Sequence, residues 1–276
     1  MPELPEVETV RRGLEIAMAG QTLTSVLQRR PDLRRPFPPF FADRLTGRRI
    51  VALKRRAKYL TIETDDGNLL LIHLGMSGRM LVGPQDDAPL GRHDHVVFDL
   101  DNGQRVIFND PRRFGVMDLF PAEEIASHPL LMHLGPEPLG DDFTAKSLAK
   151  RIKDKISPIK VVLLDQKVVA GIGNIYASEA LYRAAISPDR AACDVKKREI
   201  EILVPAVKQV LEEAIAAGGS SLKDHRQTNG ELGYFQHSFK VYDREGQPCP
   251  DCSCKEGIRR LTQAGRSTFY CASKQR

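Results

Sequence analysis

Long apolar runs are absent from this 276-residue chain, and so are internal repeats and low-complexity tracts. No segment approaches the roughly 18 consecutive apolar residues that a membrane span requires, so no membrane association is expected. The first residues are acidic and lack an apolar stretch, which argues against a secretory signal and makes the cytoplasm the expected location. Hydrophobic residues make up 41% and charged residues 28%, as in an ordinary globular protein with room for two domains.

Cysteine is scarce until the end of the chain. Only Cys193 lies outside the tail, and Cys249, Cys252, Cys254 and Cys271 all follow residue 248. In a cytoplasmic chain such a cluster predicts a metal site before a disulfide framework. Two cysteine groups on either side of a β-hairpin are typical of a zinc ribbon, although the second group holds one cysteine where zinc normally needs two.

Basic residues exceed acidic ones by only five, but they are clustered. Such clusters among predicted strands favour a polyanion as partner, and the phosphate backbone of nucleic acid is the commonest polyanion. The clusters are Arg29-Arg30, Arg34-Arg35, Arg48-Arg49, Lys54-Arg55-Arg56-Ala57-Lys58, Arg112-Arg113, Lys196-Lys197-Arg198 and Arg259-Arg260.

The hydrophobic pattern predicts an α+β protein. A helix is expected over residues 5–18, followed by strands over 50–53, 59–64, 69–74, 96–100 and 105–108 with hairpin turns among them, which favours a β-sandwich. A proline-rich linker comes next, and helices are expected over 143–155, 160–166, 175–184 and 196–217. The predicted divisions are 1–130 for the sandwich with its helix, 131–142 for the linker, 143–235 for a helical domain and 236–276 for a terminal hairpin.

The N-terminus offers the most distinctive chemistry. If Met1 is trimmed, Pro2 presents a secondary amine that is partly neutral near pH 7, and Glu3, Glu6 and Glu8 follow within two helical turns. Such an amine can attack a sugar carbon and form an iminium while a carboxylic acid moves the protons. The alternative is an ordinary helix start, because Pro5 and the glutamates suit the first turn.

Two glycine-flanked turns and one glycine-rich segment suggest DNA contacts. Met76 lies at the tip of one turn, while Arg112 and Phe114 lie in the other, and such tips can enter the space that a displaced base leaves. Each apolar tip taken alone would more often be a core residue. Segment 168–177 superficially matches a dinucleotide fingerprint, but helical sequence follows it, which favours a phosphate-binding turn with Asn174 at a helix N-terminus.

Together these motifs resemble the bacterial formamidopyrimidine-DNA glycosylases, which remove oxidised purines, and the resemblance covers essentially the whole chain. Leu4 distinguishes the chain from the sister family of endonuclease VIII type, which prefers oxidised pyrimidines and usually has glycine there. The motifs that carry the resemblance are the N-terminal PELPEVET, the Lys58 hairpin, HLGMSG from His73, DPRRFG from Asp110, GIGNIYA from Gly171, GYFQ from Gly233 and QAGRSTFYC from Gln263.

The resemblance implies a helix–two-turn–helix domain, a zinc-finger-type hairpin and a bifunctional glycosylase and AP lyase acting on double-stranded DNA as a monomer without a nucleotide cofactor. Pro2 would attack C1′ of the damaged nucleotide, with Glu3 moving protons, Glu6 supporting the site and Lys58 binding a phosphate. Successive β- and δ-elimination would then cut the strand. DNA binding would place the protein at the nucleoid.

The resemblance also implies a set of DNA contacts. Met76, Arg112 and Phe114 would fill the gap left by the flipped nucleotide, with Arg112 pairing to the orphaned cytosine. Lys160, Asn174 and Arg266 would hold phosphates, and His73 and Arg113 belong to the same DNA-binding set. A loop from Gly218 to about Tyr234, including Ser220 and Ser221, would close over the extruded base.

At the tail the family pattern ends in Cys-x-x-Cys, and Lys274 stands where the last cysteine is expected. One structural zinc ion could still be bound by Cys249, Cys252, Cys254 and Cys271, and a zinc-free hairpin is the alternative. Two other functions explain less of the sequence. A non-catalytic damage binder has no need of the Pro2 amine, and a zinc-ribbon transcription factor leaves the first 130 residues unexplained.

Overall fold

The computed structural model describes residues 2–86, 88–221, 228 and 230–276. The chain forms two compact units, one comprising Met1–Met132 and Ala217–Tyr234, and the other His133–Ala216 and Phe235–Arg276. The segment Ala217–Tyr234 thus clusters with the first unit, whereas the sequence-based division joined it to the preceding helices. The predicted domain limits themselves stay predictions. No helix in the described part of the chain is long and apolar enough to cross a membrane.

The first unit is built from two antiparallel four-stranded sheets and an N-terminal helix. Helix α1 spans Leu4–Met18 and the short α2 spans Phe41–Leu45. The strands are β1 Leu23–Gln28, β2 Ile50–Arg56, β3 Tyr59–Thr64, β4 Asn68–His73, β5 Arg79–Pro84, β6 Asp94–Leu100, β7 Gln104–Asn109 and β8 Val116–Pro121. One sheet has the order β1-β6-β7-β5 and the other β2-β3-β4-β8.

A single apolar core joins the two sheets to α1. The helix contributes the stripe of Val7, Val10 and Leu14 that its sequence period predicts, each at most 1% exposed. The sheets contribute inward-facing residues such as Ile62 and Phe98. Since both sheets bury one face in the same core, the predicted β-sandwich is confirmed.

Tight turns set the strand register and place Lys58. The turn between β3 and β4 has Gly67 at φ +77°, and the turn between β6 and β7 has Gly103 at the same value, as the Asp-Gly and Asn-Gly signals predict. The two-residue turn between β2 and β3 instead has Ala57 at φ +53°, a conformation that costs a residue with a Cβ some strain. Lys58 follows directly and leads into β3.

The second unit is helical and ends in a hairpin. Its helices are α3 Ala145–Ile152, α4 Ile159–Leu163, α5 Asn174–Arg183 and α6 Lys197–Ala216, and its strands are β9 Arg259–Gln263 and β10 Arg266–Tyr270. Short 3-10 turns lie at 122–126 in the first unit and at 192–194 and 235–238 in the second. The predicted α+β class, with a helical domain and a terminal hairpin, is confirmed. The dinucleotide-fold alternative is wrong, because the glycine turn at residues 171–173 leads into α5, and the strands described after it, β9 and β10, pair only with each other.

A small apolar cluster supports the terminal hairpin. Tyr182 of α5 packs there with Val241, Ile258 and Phe269, and the buried Cys249 and Cys271 belong to the same cluster. The cluster is a small apolar core for the terminal hairpin and the residues that lead into it. A cross-link through the cysteines would therefore add stability.

Candidate active site and DNA-binding residues

Two buried carboxylates lie at the start of α1, beside Pro2. Glu3 is the N-cap residue and Glu6 lies in the first turn, and they are 4% and 2% exposed. The Glu6 carboxylate accepts the main-chain N–H of Glu3 at 2.8 Å, and the pair forms a reciprocal capping box. The helix N-terminus stabilises negative charge at this point. Pro2, also buried, precedes Glu3, whose carboxylate accepts the main-chain N–H of Glu6 and is thereby held in place.

Glu6 also fixes a distant segment of the same unit. Its Oε1 accepts the main-chain N–H of Ser220 at 2.8 Å and the Ser220 hydroxyl at 3.0 Å. Gly219 has φ +79°, a left-handed conformation that favours glycine, and a Cβ there would press on the Glu6 side chain. Ser220, predicted to contact the base, is thus engaged with Glu6.

The two stems of the predicted lesion loop are joined to each other. Ser221 accepts the N–H of Gly233 at 2.9 Å, and Tyr234 donates its N–H to Ala217 at 3.0 Å. The Tyr234 side chain is 65% exposed. Residues 222–227 and 229 of this loop lie outside the described residues, and the predicted base contacts stay a prediction.

His73, at the end of β4, is held in its neutral form. Its Nδ1 accepts the N–H of Gly75 at 3.0 Å, which leaves the proton on Nε2, and its ring packs 4.8 Å from that of Tyr59. Burial, together with the positive charges of Lys58 and Arg34, lowers the pKa of His73 to about 4. Lys58 itself is 7% exposed. A neutral imidazole beside a lysine can donate a hydrogen bond without adding a second charge.

This depressed pKa predicts a specific loss of stability in acid. In the unfolded chain His73 takes up a proton near pH 6.5, whereas in the folded chain it does so only near pH 4. The free energy of unfolding that the neutral His73 contributes above pH 6.5 is therefore lost as the pH falls from 6.5 to about 4. We expect His73→Gln to lose less free energy of unfolding between pH 7 and pH 4.5 than the unsubstituted protein, in urea titrations. The exposed His133→Gln serves as control, and equal losses in all three proteins would contradict the assignment.

The structure brings the three predicted tip residues to neighbouring turns. Met76 is 37% exposed and Phe114 41% exposed, values unusual for residues of a core. The Arg112 guanidinium lies 4.9 Å from the centre of the Phe114 ring. Arg113, also exposed, has φ +58°. An exposed cluster of one cation and two apolar side chains fits insertion into a base stack better than the core alternative.

In the second unit, Lys160 lies inside the protein. Its ammonium is fully buried and donates to Asn174 Oδ1 at 2.7 Å, to Thr268 Oγ1 at 2.7 Å and to the main-chain oxygen of Ser267 at 3.1 Å. Lys160 therefore has no exposed atom with which to make the phosphate contact that was predicted for it. The lysine instead joins α4 and α5 to β10, because three oxygen acceptors surround it.

Asn174, the first residue of α5, is oriented by that lysine. Its side-chain amide donates to the Ser267 carbonyl at 2.9 Å and to the Tyr242 hydroxyl at 3.3 Å. The exposed Arg266 precedes Ser267 on β10, so the hydrogen bond to Ser267 brings the N-terminus of α5 next to the strand that carries this arginine. This arrangement suits an anion.

Tyr242 and Glu179 belong to this neighbourhood although the sequence reasoning missed them. The Glu179 carboxylate accepts the main-chain N–H groups of Lys240, Val241 and Tyr242 at 2.9–3.1 Å. Burial raises the pKa of Glu179, and these hydrogen bonds oppose the rise. No motif flags such a contact, since it joins a helix interior to a loop about 60 residues later.

The four tail cysteines meet in one group. The sulfur atoms of Cys249, Cys252, Cys254 and Cys271 all lie within 4.8 Å of one another, with two of the separations at 3.5 and 3.6 Å. A tetrahedral zinc site with Zn–S bonds of about 2.3 Å has S···S edges of about 3.8 Å. The donor set is therefore compatible with one structural zinc ion.

Lys274 lies outside this thiol group. Its ammonium pairs with Asp251 and packs 4.1 Å from the centre of the Tyr182 ring. The Tyr182 hydroxyl contacts Cys249 Sγ at 3.2 Å. Burial opposes ionisation of that thiol, but this hydrogen bond and others lower the pKa of Cys249 to about 7. The findings do not support the prediction that Lys274 takes the place of a cysteine ligand.

Comparison with known proteins agrees with both units. Residues 1–117 match the family model of the formamidopyrimidine-DNA glycosylase N-terminal domain, and residues 134–226 match that of its H2TH domain. A formamidopyrimidine-DNA glycosylase of Rhodospirillum centenum is 58% identical over 290 residues, with both chains fully covered.

Two crystal structures of the Lactococcus lactis Fpg protein are 34% identical, with full coverage of both chains. One is a mutant bound to Fapy-dG-containing DNA, with a TM-score of 0.91, and the other is the wild type bound to DNA containing an oxidised pyrimidine, with a TM-score of 0.90.

The resemblance inferred from the motifs is thereby confirmed along the entire chain. More than half of the aligned residues are identical over the full length, and the two domain models match in the expected order. The chain belongs to the formamidopyrimidine-DNA glycosylase family of bifunctional DNA glycosylases and AP lyases, which act in base excision repair.

Proposed function

We propose that this enzyme excises oxidised purines such as 8-oxoguanine and formamidopyrimidines from double-stranded DNA, acting as a monomer. The observation that carries the proposal is the buried Pro2 beside Glu3 and Glu6 at the start of α1. A proline at this place is useful to an enzyme as a secondary amine, and it has no evident use in a protein that only binds damage.

In the proposed reaction, the Pro2 nitrogen of the trimmed chain attacks C1′ of the damaged nucleotide. The glycosidic bond breaks, the base leaves with its electron pair and takes up a proton, and the nitrogen loses its own proton. Glu3 then donates a proton to the ring oxygen as the C1′–O4′ bond breaks, which yields an iminium. Loss of a C2′ proton expels the 3′ phosphate, and a second elimination expels the 5′ phosphate.

The remaining residues bind DNA in this proposal. Met76, Arg112 and Phe114 fill the space of the displaced nucleotide, and Arg112 pairs with the base opposite. Lys58, His73 and Arg113 contact the backbone near the lesion. Asn174 and Arg266 hold a phosphate, while Lys160 orients Asn174 from behind. Ser221 and Tyr234 lie at the stems of the loop that closes over the base.

We also propose that Cys249, Cys252, Cys254 and Cys271 bind one zinc ion. The ion would supply a structural cross-link between the segment before β9 and the residue after β10, and it would take no part in the reaction. Because β10 provides the acceptors for Lys160 and Asn174, this cross-link supports the phosphate site.

The second candidate function is excision of oxidised pyrimidines, because the Lactococcus lactis relative has been crystallised on DNA that contains one. The deciding experiment is borohydride trapping on matched duplexes that carry 8-oxoguanine opposite cytosine, thymine glycol opposite adenine, or no lesion. We expect a covalent adduct on the 8-oxoguanine duplex at a rate well above that on thymine glycol. The reverse order would assign the enzyme to pyrimidines, and tight lesion-selective binding without any adduct would indicate a damage binder.

A further inference from the structure

One buried carboxylate joins the turn that carries Met76 to the turn that carries Arg112 and Phe114. We call residues 74–78 and 110–115 together the tip block. Asp110 is fully buried between the two turns. Its Oδ1 accepts the Ser77 hydroxyl at 2.6 Å, and its Oδ2 accepts the main-chain N–H of Gly115 at 2.8 Å. A charged acceptor makes both bonds strong, and burial keeps water from competing for them.

Ser77 closes this link from the other side. While its hydroxyl proton is donated to Asp110, its oxygen accepts the main-chain N–H of Arg112 at 3.1 Å. Ser77 is 4% exposed, so its two hydrogen bonds are made inside the protein. The residue after Met76 therefore holds the main chain of Arg112 directly.

The main chains of the two turns are also in close contact. Gly75 has φ +65°, and a Cβ there would collide with the main chain of Phe114 and Gly115. Asp110 is also anchored to the start of β6 and the residue before it, because it donates its N–H to the His93 carbonyl at 2.9 Å and its own carbonyl pairs with His95 Nε2 at 2.9 Å. These contacts restrain the positions of the two turns of the tip block relative to each other.

From this geometry we propose that Ser77 and Asp110 are positioning residues that hold the three tips as one preassembled wedge before DNA is bound. The proposal rests on the proposed wedge function of Met76, Arg112 and Phe114. A wedge that is already ordered loses little conformational freedom on insertion, so more of its contact energy is available to open the base stack. It also keeps Arg112 at a fixed place against the opposite base, which makes Ser77 and Asp110 determinants of opposite-base selectivity.

The first test is Ser77→Ala, measured in single turnover. We expect excision of 8-oxoguanine opposite cytosine to slow about tenfold, the scale of one lost buried hydrogen bond. The preference for cytosine over adenine opposite the lesion should also fall. Cleavage at an abasic site in a single-stranded oligonucleotide should be unchanged, because there is no stack to open. Ser127→Ala, which removes an exposed hydroxyl, is the matched control.

A substitution cycle between Ser77 and the tip residues separates positioning from a general structural effect. If Ser77 acts by holding the tips, Ser77→Ala should cost much less in a Met76→Ala, Arg112→Ala background than in the unsubstituted enzyme. Asp110→Asn offers a conservative partner, since its amide can donate to Ser77 and its carbonyl can accept from Gly115. We expect Asp110→Asn to retain most of the opposite-base preference and Asp110→Ala to lose it. Hydrogen exchange at the amides of Arg112 and Gly115 should accelerate in the alanine variants.

The outcomes distinguish this proposal from the one on which it rests. If Met76→Ala and Arg112→Ala leave duplex excision unchanged, the wedge function fails and the positioning proposal fails with it. If those variants slow excision but Ser77→Ala does not, the wedge function stands and the positioning proposal alone is overturned. Equal slowing by Ser77→Ala on the duplex and on single-stranded abasic DNA would also overturn it, because the loss would then be a general one.

Discussion

A single extra residue left ahead of Pro2 is expected to abolish the borohydride-trapped complex with DNA that carries 8-oxoguanine. The extra residue turns the secondary amine into an amide, whose nitrogen has no lone pair available for attack. We expect strand cleavage to fall by at least about a thousandfold, as when other covalent nucleophiles are removed. The measurement is denaturing electrophoresis after borohydride treatment, with single-turnover cleavage rates.

The control for this variant is its affinity for a duplex that carries a stable abasic analogue. If the fold and the DNA contacts persist, the affinity should change little while the chemistry is lost. Pro2→Gly keeps an amine at the same place and should retain slow trapping. Undiminished trapping in the extended protein would show that another amine, Lys58 foremost, forms the covalent bond.

Cys271→Ser is expected to have the second largest effect, through the loss of zinc and of the β9–β10 hairpin. Structural zinc contributes on the order of 10 kcal/mol or more to the folding of small domains, and the apolar cluster around Tyr182 and Phe269 is too small to replace it. The hairpin carries the oxygen acceptors that hold Lys160 and Asn174. We therefore expect zinc content to fall from one ion per chain to none and duplex affinity to fall about a hundredfold, the equivalent of two charge-assisted hydrogen bonds.

The same measurements on other variants determine the ligand set. Cys252→Ser and Cys254→Ser should each lower zinc content and duplex affinity if all four sulfurs bind the ion, whereas Cys193→Ser should leave both unchanged because that cysteine is exposed and distant in sequence. Full zinc content in Cys252→Ser would reduce the set to three cysteines. A zinc-free but fully active natural protein would support the alternative in which packing alone holds the hairpin.

The parts of this fold that local chemistry determines were predictable from sequence. Glycine turns at Gly67 and Gly103 identified two hairpins, because only certain residues accept positive φ, and the spacing of Val7, Val10 and Leu14 identified the buried face of α1. The N-terminal carboxylates were also recognisable, since the capping box lies within one helical turn. In each case the decisive interaction joins residues a few positions apart.

The interactions that sequence reasoning missed join residues far apart. Lys160 looked like a phosphate ligand, but its partners Ser267 and Thr268 lie more than 100 residues away and enclose it. Asp110 was visible as part of a motif, yet nothing in the motif shows that its carboxylate receives Ser77 from another turn. The four-cysteine set, by contrast, was named from the sequence, and the folded chain shows that the sulfur of Cys252 does lie with the other three.

The hydrogen bonds between Glu6 and Ser220 have a consequence for folding order. The two residues are 214 positions apart, and the segment Ala217–Tyr234 returns to the first unit only after the chain has passed through the helices of the second. Closing a loop of that length costs chain entropy before the contact stabilises the fold, so we expect this contact to form late in folding. We therefore expect a partly folded chain to have its sandwich and its N-terminal proline in place before Glu6 gains the hydrogen bonds of Ser220.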